Sequence, residues 1–185
     1  MNNCGKCGGE AVTLRRVATF SHEVSGIVVE LKDSVFEVVC DACGSQGTLI
    51  QNHEGLVAAV AVSRAHIPVK LNGTELRFMR KALGLTATKL AARLDVTPAH
   101  LSRWEHGHRP IPASQERSLR MLAVIELQER APAIDSDFKA LCDMEISPIR
   151  NGLDDNPMRF ELVRFKERDT REKHDQWDTA EALAA

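Results

Sequence analysis

Over the first fifty residues the apolar positions fall in short, partly alternating runs. "AVTLRRVATF" (11–20) and "GIVVELKDSVFEVV" (26–39) are rich in Val, Ile, Thr and Phe and are punctuated by Gly26, which predicts half-buried strands. The period then lengthens. "EGLVAAVAVSRAHI" (54–67) has helical spacing and is stopped by Pro68, predicting a helical connector. Next, "TELRFMRKAL" (74–83) places Leu76, Met79 and Leu83 on one face, with Thr74 as N-cap and Gly84 as the stop. "TATKLAARL" (86–94) is capped by Thr86, and "TPAHLSRWEHG" (97–107) by Thr97 with Pro98 at the first helical position, both sound helix starts. "ASQERSLRMLAVIELQER" (113–130) predicts a fourth helix of this group. Beyond Pro132 the pattern weakens: "SDFKALCDM" (136–144) predicts one or two helical turns and "MRFELVRF" (158–165) a strand. "TREKHDQWDTAEALAA" (170–185) reads as a charged, fraying end. The chain thus reads as multidomain α+β: a small β-rich N-terminal domain over 1–52, a helical connector over 53–71, an all-α domain over 72–131, and a partly ordered C-terminal extension over 132–185.

Composition narrows this picture. Of 185 residues 43% are apolar but only 4% aromatic, with no Tyr, so the expected cores are small and aliphatic. No apolar run approaches the roughly eighteen residues of a membrane helix, and "MNNCGKCGGE" lacks the basic-then-apolar start of a signal peptide. A soluble, cytoplasmic protein with no membrane partner is expected. The net charge of −2 hides an asymmetry. Residues 1–73 carry −1, residues 74–130 carry +4 with His100, His106 and His108 besides, and residues 131–185 carry −5. A basic module between a neutral head and an acidic tail suits a nucleic-acid-binding domain with attached partner-binding segments.

Five cysteines in a reducing compartment are poor candidates for disulfides, and four of them are paired. Cys4-Gly-Lys-Cys7-Gly and Cys40-Asp-Ala-Cys43-Gly are two copies of C-x-x-C-G. The two-residue gap lets one tight turn aim both sulfurs at a single tetrahedral ion, and the following glycine permits positive φ. Four thiolates make a closed site, so one structural Zn2+ on Cys4, Cys7, Cys40 and Cys43 is expected. The alternatives are two unrelated reduced turns or a redox pair, although a redox pair needs only one C-x-x-C at a βα junction. A head this small is expected to unfold when stripped, since such sites bind with on the order of 10–16 kcal/mol. Cys142 shares helical spacing with Phe138 and Leu141 and is expected in a core.

"LRFMRKALGLTATKLAARLDVTPAHLSRWEHGHRPIP" (76–112) resembles the Cro/phage-repressor family of helix-turn-helix domains. Gly-Leu-Thr after an Arg-containing helix, Leu-Ala, a short turn and Ser-Arg-Trp-Glu-x-Gly-x-Arg-x-Pro carry the match. Small Ala91 suits a helix crossing, and Leu90, Leu94, Val96 and Leu101 suit its shared core. The helix starting at Pro98 is then free to enter a major groove by its N-terminal turn. Thr97, Pro98, Ala99, His100 and Arg103 are the candidates near the bases. Arg103 can donate two hydrogen bonds to guanine and Ala99 can offer only a methyl to thymine. Thr86, Lys89, His108 and Arg109 suit phosphates. An intramolecular ion pair is the alternative for Arg103, and Trp104 is expected to pack beneath the domain. The resemblance implies that Glu105 pairs with an Arg of the first helix, Arg80. Gly107 is expected as a C-cap.

The zinc head followed by this helix-turn-helix resembles the MqsA-type antitoxins over residues 1 to about 130. That resemblance implies a head that neutralises a ribonuclease toxin and a second domain that dimerises and represses its own operon. Ala99 stands where a base-reading Asn is expected, and the tail beyond Pro132 has no counterpart in that family. The expected function is therefore a sequence-specific DNA-binding repressor and not an enzyme, acting as a homodimer on double-stranded operator DNA. A toxin is the implied partner of the N-terminal domain or the C-terminal extension. Dimer candidates are Leu119, Leu122, Ile125 and Glu126, and the tail. The alternatives are a stand-alone regulator without a toxin and a zinc-ribbon adaptor binding RNA or protein. Cys142 with His174, or Asp154 with Asp155, come with no catalytic motif.

Overall fold

The computed structural model describes residues 4–9, 12–148, 157–166 and 173–180, with 164–166 and 173–174 described by backbone alone. The fold is mixed α/β. Strands β1 (Val12–Val24) and β2 (Ile27–Cys40) form a long antiparallel hairpin from Val12 opposite Cys40 to Val24 opposite Ile27, with a bulge that shifts the register between Val17 and Thr19. Ser25 and Gly26 close it at φ 50° and 92°, the pair of positive values a two-residue turn needs to follow the strand twist. A Cβ on Gly26 would lie 2.4 Å from Cγ2 of Thr74. The turn is therefore wedged against the helical region and admits no side chain.

β3 (Gln46–Ile50) pairs with the far half of β2, from Val39 opposite Gln46 to Val35 opposite Ile50. β4 (Met158–Lys166) runs parallel to the near half, with Val29 opposite Met158 and Leu31 opposite Phe160. β5 (Lys173–Thr179) lies antiparallel to β4, so the order is β1-β2-β4-β5 with β3 beside β2. The end expected to fray is thus, over 173–179, part of the sheet. Trp177 is fully buried there, and its indole N–H reaches the carbonyls of Gln51 (3.2 Å) and Asn52 (3.0 Å). β5 pairs with the neighbouring β4, but β4 itself pairs with β2, more than a hundred residues earlier, a partner that no local spacing shows.

Helix α1 (His53–His66), expected as a connector, is a central core element. Ten of its residues are buried, from Gly55 through Leu56 and from Ala58 to Ala65. Small Ala58, Ala59, Ala61 and Ala65 let the sheet and the later helices approach it closely. The helical region follows as α2 (Gly73–Ala82), α3 (Ala87–Arg93), α4 (Pro98–Glu105) and α5 (Ala113–Leu127), with a 3-10 turn at Gln128–Arg130 and a short α6 (Phe138–Asp143). α2 is capped by Asn72 rather than Thr74. Asn72 accepts from the Glu75 amide and Glu75 accepts from the Asn72 amide, both at 2.8 Å, a reciprocal box that Thr74, with Arg77 three residues on, cannot make.

A polar knot joins α1, α2 and α5 through the 67–71 segment. Arg64 and Arg120 are each 1% exposed. Arg64 pairs with Glu75 (2.7 Å), and Arg120 with Glu116 (2.8 Å). Arg120 also donates to the carbonyls of Ala65, Ile67 and Val69, and the Leu71 amide donates to Glu116. Burial pushes the Arg120 guanidinium below its ordinary value, with the Glu116 hydrogen bond opposing, yet so many acceptors keep it a workable cation.

Two side chains depart from the sequence expectations. Cys142 is exposed, because the six-residue α6 buries only Leu141 and leaves Phe138 outside as well. Leu119 is fully buried against α1 and cannot serve a dimer surface, whereas Ile125 is 58% exposed.

Candidate metal centre and nucleic-acid interface

The hairpin register brings the start of β1 beside the end of β2, and this gathers the cysteines. Cys4 and Cys7 precede β1, Cys40 ends β2, and Cys43 sits in the turn to β3. All four sulfurs lie within 4.8 Å of one another. Cys4 and Cys43 are 3.7 Å apart and Cys7 and Cys40 3.6 Å. Sulfurs at about 2.3 Å from a tetrahedral ion stand about 3.8 Å apart, so the donor set fits a metal. Each knuckle is closed the same way: Gly8 and Gly44 donate to the Cys4 and Cys40 carbonyls at 2.8 Å, with φ of 72° and 68°. The amides of Lys6 and Gly9 point at the sulfurs of Cys4 and Cys7, each at 3.4 Å.

The thiols divide unequally. Ser45, a residue the spacing argument did not single out, places its hydroxyl 3.2 Å from Cys4 and 3.3 Å from Cys43. That hydroxyl, helped by the Cys7 and Lys6 amides, lowers Cys4 to about 6, and with its own amide Ser45 lowers Cys43 as well. The Gly9 amide pulls Cys7 down, but proton sharing with Cys43, Cys40 and Cys4 outweighs it and pushes Cys7 up to about 12. Cys4 thus forms a thiolate more readily than Cys7, whose proton an incoming cation must displace. Beside the cluster, Val12, Leu14, Val38 and Leu49 line an open groove of about 470 Å³ on one face of the β1-β2-β3 arm. Leu14 and Leu49 are 43% and 40% exposed there.

The second candidate site is the pair α3 and α4. Thr86 caps α3 by accepting from the Lys89 amide, and Thr97 caps α4 by accepting from the His100 amide. Between them Asp95 takes φ 53°, which makes the turn. Leu90, Ala91, Leu94 and Leu101 are buried between the helices, with Val96 partly so. α4 is then fixed in rotation from beneath. Trp104 is buried, and the buried Glu105 accepts from Arg80 at 2.5 and 3.1 Å, with Arg77 at 3.6 Å. Arg80 is raised by that hydrogen bond and also donates to the Leu85 carbonyl at 3.0 Å. Gly73 was another silent position: a Cβ there would lie 2.6 Å from the Glu105 carbonyl oxygen, so α2 can abut α4 only through a glycine. Gly107 (φ 71°) ends α4, with the His108 amide returning to the Arg103 carbonyl.

All nine candidate DNA residues, Thr86, Lys89, Thr97, Pro98, Ala99, His100, Arg103, His108 and Arg109, are exposed. Among the described residues no carboxylate pairs with Arg103. Ser102 and His106 share its exposed side, joined through the His106 ring at 3.4 Å. Asp154 and Asp155, and the side chain of His174, lie outside the described residues. No helix among the described residues is long and apolar enough to cross a membrane. No curated protein and no solved structure shows significant similarity to the chain. Residues 76–128 match the family model described as Helix-turn-helix, a DNA-binding regulator family, and the chain therefore carries a helix-turn-helix region beside a four-cysteine cluster able to hold a metal ion.

Proposed function

We propose that the protein is a sequence-specific DNA-binding transcriptional repressor with one structural Zn2+ on Cys4, Cys7, Cys40 and Cys43, acting as a homodimer on its own operator. The observation that carries the DNA reading is the division of α4. Its buried side, Leu101, Trp104 and Glu105, is held by α2, while its start and Arg103 remain exposed and unpaired among the described residues. A helix so presented can place its first turn in a major groove. Thr86, Lys89, His108 and Arg109 then meet phosphates, while Pro98, Ala99, His100 and Arg103 face bases. Zinc follows from the all-thiolate, closed donor set, which suits a structural ion. Ile125, with Leu122 beside it, is the proposed dimer contact. Titrating the full-length protein into DNA from upstream of its own gene, with competitor DNA present, tests the reading. No preference for that DNA over competitor sinks it.

A protein partner for the head is favoured by a separate observation. The groove lined by Val12, Leu14, Val38 and Leu49 presents apolar area on an arm that the helix-turn-helix does not need. By resemblance to MqsA-type antitoxins, the proposed occupant is a ribonuclease toxin encoded beside this gene. Co-expression with the neighbouring reading frame tests it. If that product is harmless alone, or fails to co-purify, the antitoxin role is lost and the stand-alone regulator remains.

A further inference from the structure

The two cysteine knuckles share a backbone pattern but end in different residues. In the first, the Cys4 amide donates to the Gly9 carbonyl, and in the second the Cys40 amide donates to the Ser45 carbonyl, both at 2.9 Å. Gly9 and Ser45 therefore hold corresponding positions. A Cβ on Gly9 would sit 3.2 Å from the Ala42 Cβ and 3.3 Å from the Cys7 sulfur, so the first knuckle has little room for a side chain there. The second has room, and uses it to cross over. The Ser45 hydroxyl lies 3.2 Å from the sulfur of Cys4, which belongs to the other knuckle, and 3.3 Å from Cys43 of its own.

We propose that Ser45 is a positioning residue of the metal centre, whose hydroxyl donates to the Cys4 thiolate and clasps the N-terminal knuckle onto the second. The inference rests on the reading of the cluster as a zinc site. Four thiolates around one dication leave an excess of negative charge on sulfur. An O–H aimed at one of them offsets that charge without occupying a coordination position. The hydroxyl has a single proton to give. Of the two sulfurs within its reach, Cys4 is the nearer, at 3.2 Å against 3.3 Å for Cys43. The need is greater at Cys4 as well. Cys40 is anchored as the last residue of β2 and is buried, whereas Cys4 and Cys7 stand on a loop ahead of β1. A hydrogen bond from Ser45 ties that loop to the strand connection opposite, and metal release requires its breaking.

The full-length protein loaded with Zn2+ or with Co2+ provides the test. Ser45→Ala is expected to surrender zinc to a chromogenic chelator about 10–100-fold faster than the parent, the range set by removing partners of metal ligands. It is also expected to shift the thiolate-to-cobalt charge-transfer band. Ser45→Thr, which keeps the hydroxyl, restores both. Wild-type release rate and band in Ser45→Ala overturn the proposal. So does a Ser45→Thr protein as fast as Ser45→Ala, because the volume at 45 and not the hydroxyl would then matter. A parent protein that takes up neither ion is a different outcome: it removes the zinc reading itself and the clasp along with it.

Discussion

Arg103 and Lys89 are both exposed on the helix-turn-helix, but they are expected to fail differently when truncated. Arg103 is proposed to grip a guanine edge by two hydrogen bonds, worth about 1–3 kcal/mol of discrimination or roughly 5–150-fold. Arg103→Ala should therefore lose affinity for the operator while its binding to scrambled DNA stays close to wild type. Lys89→Ala should weaken both alike and lower the slope of affinity against salt by about one. Anisotropy titrations on the two DNAs over a salt series separate these outcomes; a uniform loss for Arg103→Ala would reduce it to a phosphate contact. His22 supplies a residue-scale prediction for stability. Burial, with His53 nearby, holds its imidazole below the ordinary 6.5, with Glu23 opposing. The unfolded chain therefore binds this proton more readily than the native one. The contribution is fully present above 6.5 and is lost as pH falls below it. His22→Gln should flatten that part of the urea-midpoint profile between about pH 5 and pH 7.5, and an unchanged slope counts against the assignment.

At the scale of elements, the hairpin has two ends with different supports. Its turn is wedged on Thr74, and Val24, Ile27, Val29 and Leu31 are buried in the common core. Its far end is held by β3 and the cysteine cluster. Stripping the metal is thus expected to loosen the arm and not the helices. Trypsin should gain access at Lys6, Arg15 and Arg16 when a chelator is added, while the helix-turn-helix keeps its far-UV signal. Loss of the whole helical signal would mean that the arm supports the fold globally. The elements differ in how far the sequence exposed them. The caps at Thr86 and Thr97, the arginine to glutamate pair across α2 and α4, and the twin C-x-x-C-G turns each rest on local spacing or a close motif. Asn72 is legible too, since Glu75 three residues on completes its box, although Thr74 is also a good cap residue and lies nearer the first apolar position. The role of α1 was hidden because a run of Ala and Val looks alike whether it links or fills a core. Cys142 was misplaced for a similar reason: two apolar neighbours at helical spacing cannot show that a six-residue helix buries only one of them. Ser45 left no signal, since its partners are set by a register spanning both knuckles.

The whole molecule is more tightly joined than three modules on a string. β4 is laid parallel to β2, and Arg159 of β4 pairs with Glu30 of β2 at 2.8 Å. Parallel pairing between strands so distant leaves no hairpin signal in sequence, which is why the acidic tail read as an appendage. The polar knot adds a second bond between regions, fixing the 67–71 segment to α5 through Arg120. Replacing Arg120 with Met should cost about 3–5 kcal/mol, because it strands Glu116 as a buried, unpaired carboxylate. Pairing it with Glu116→Gln should recover part of that loss. The tail makes the sharper test. A plain solvated extension could be removed after residue 156 with little change in stability. Here the cut would remove the fully buried Phe160 and Trp177, strip β4 from beside the buried Val29 and Leu31 of β2, and lift β5 off α1. Trp177→Ala alone should cost about 3–5 kcal/mol, and the truncated chain should aggregate or melt far below the parent. Thermal denaturation of both variants decides between the readings. If the truncated protein melts with the parent, β4 and β5 are not part of the cooperative unit, and the partner-binding role the sequence suggests for the tail gains ground instead.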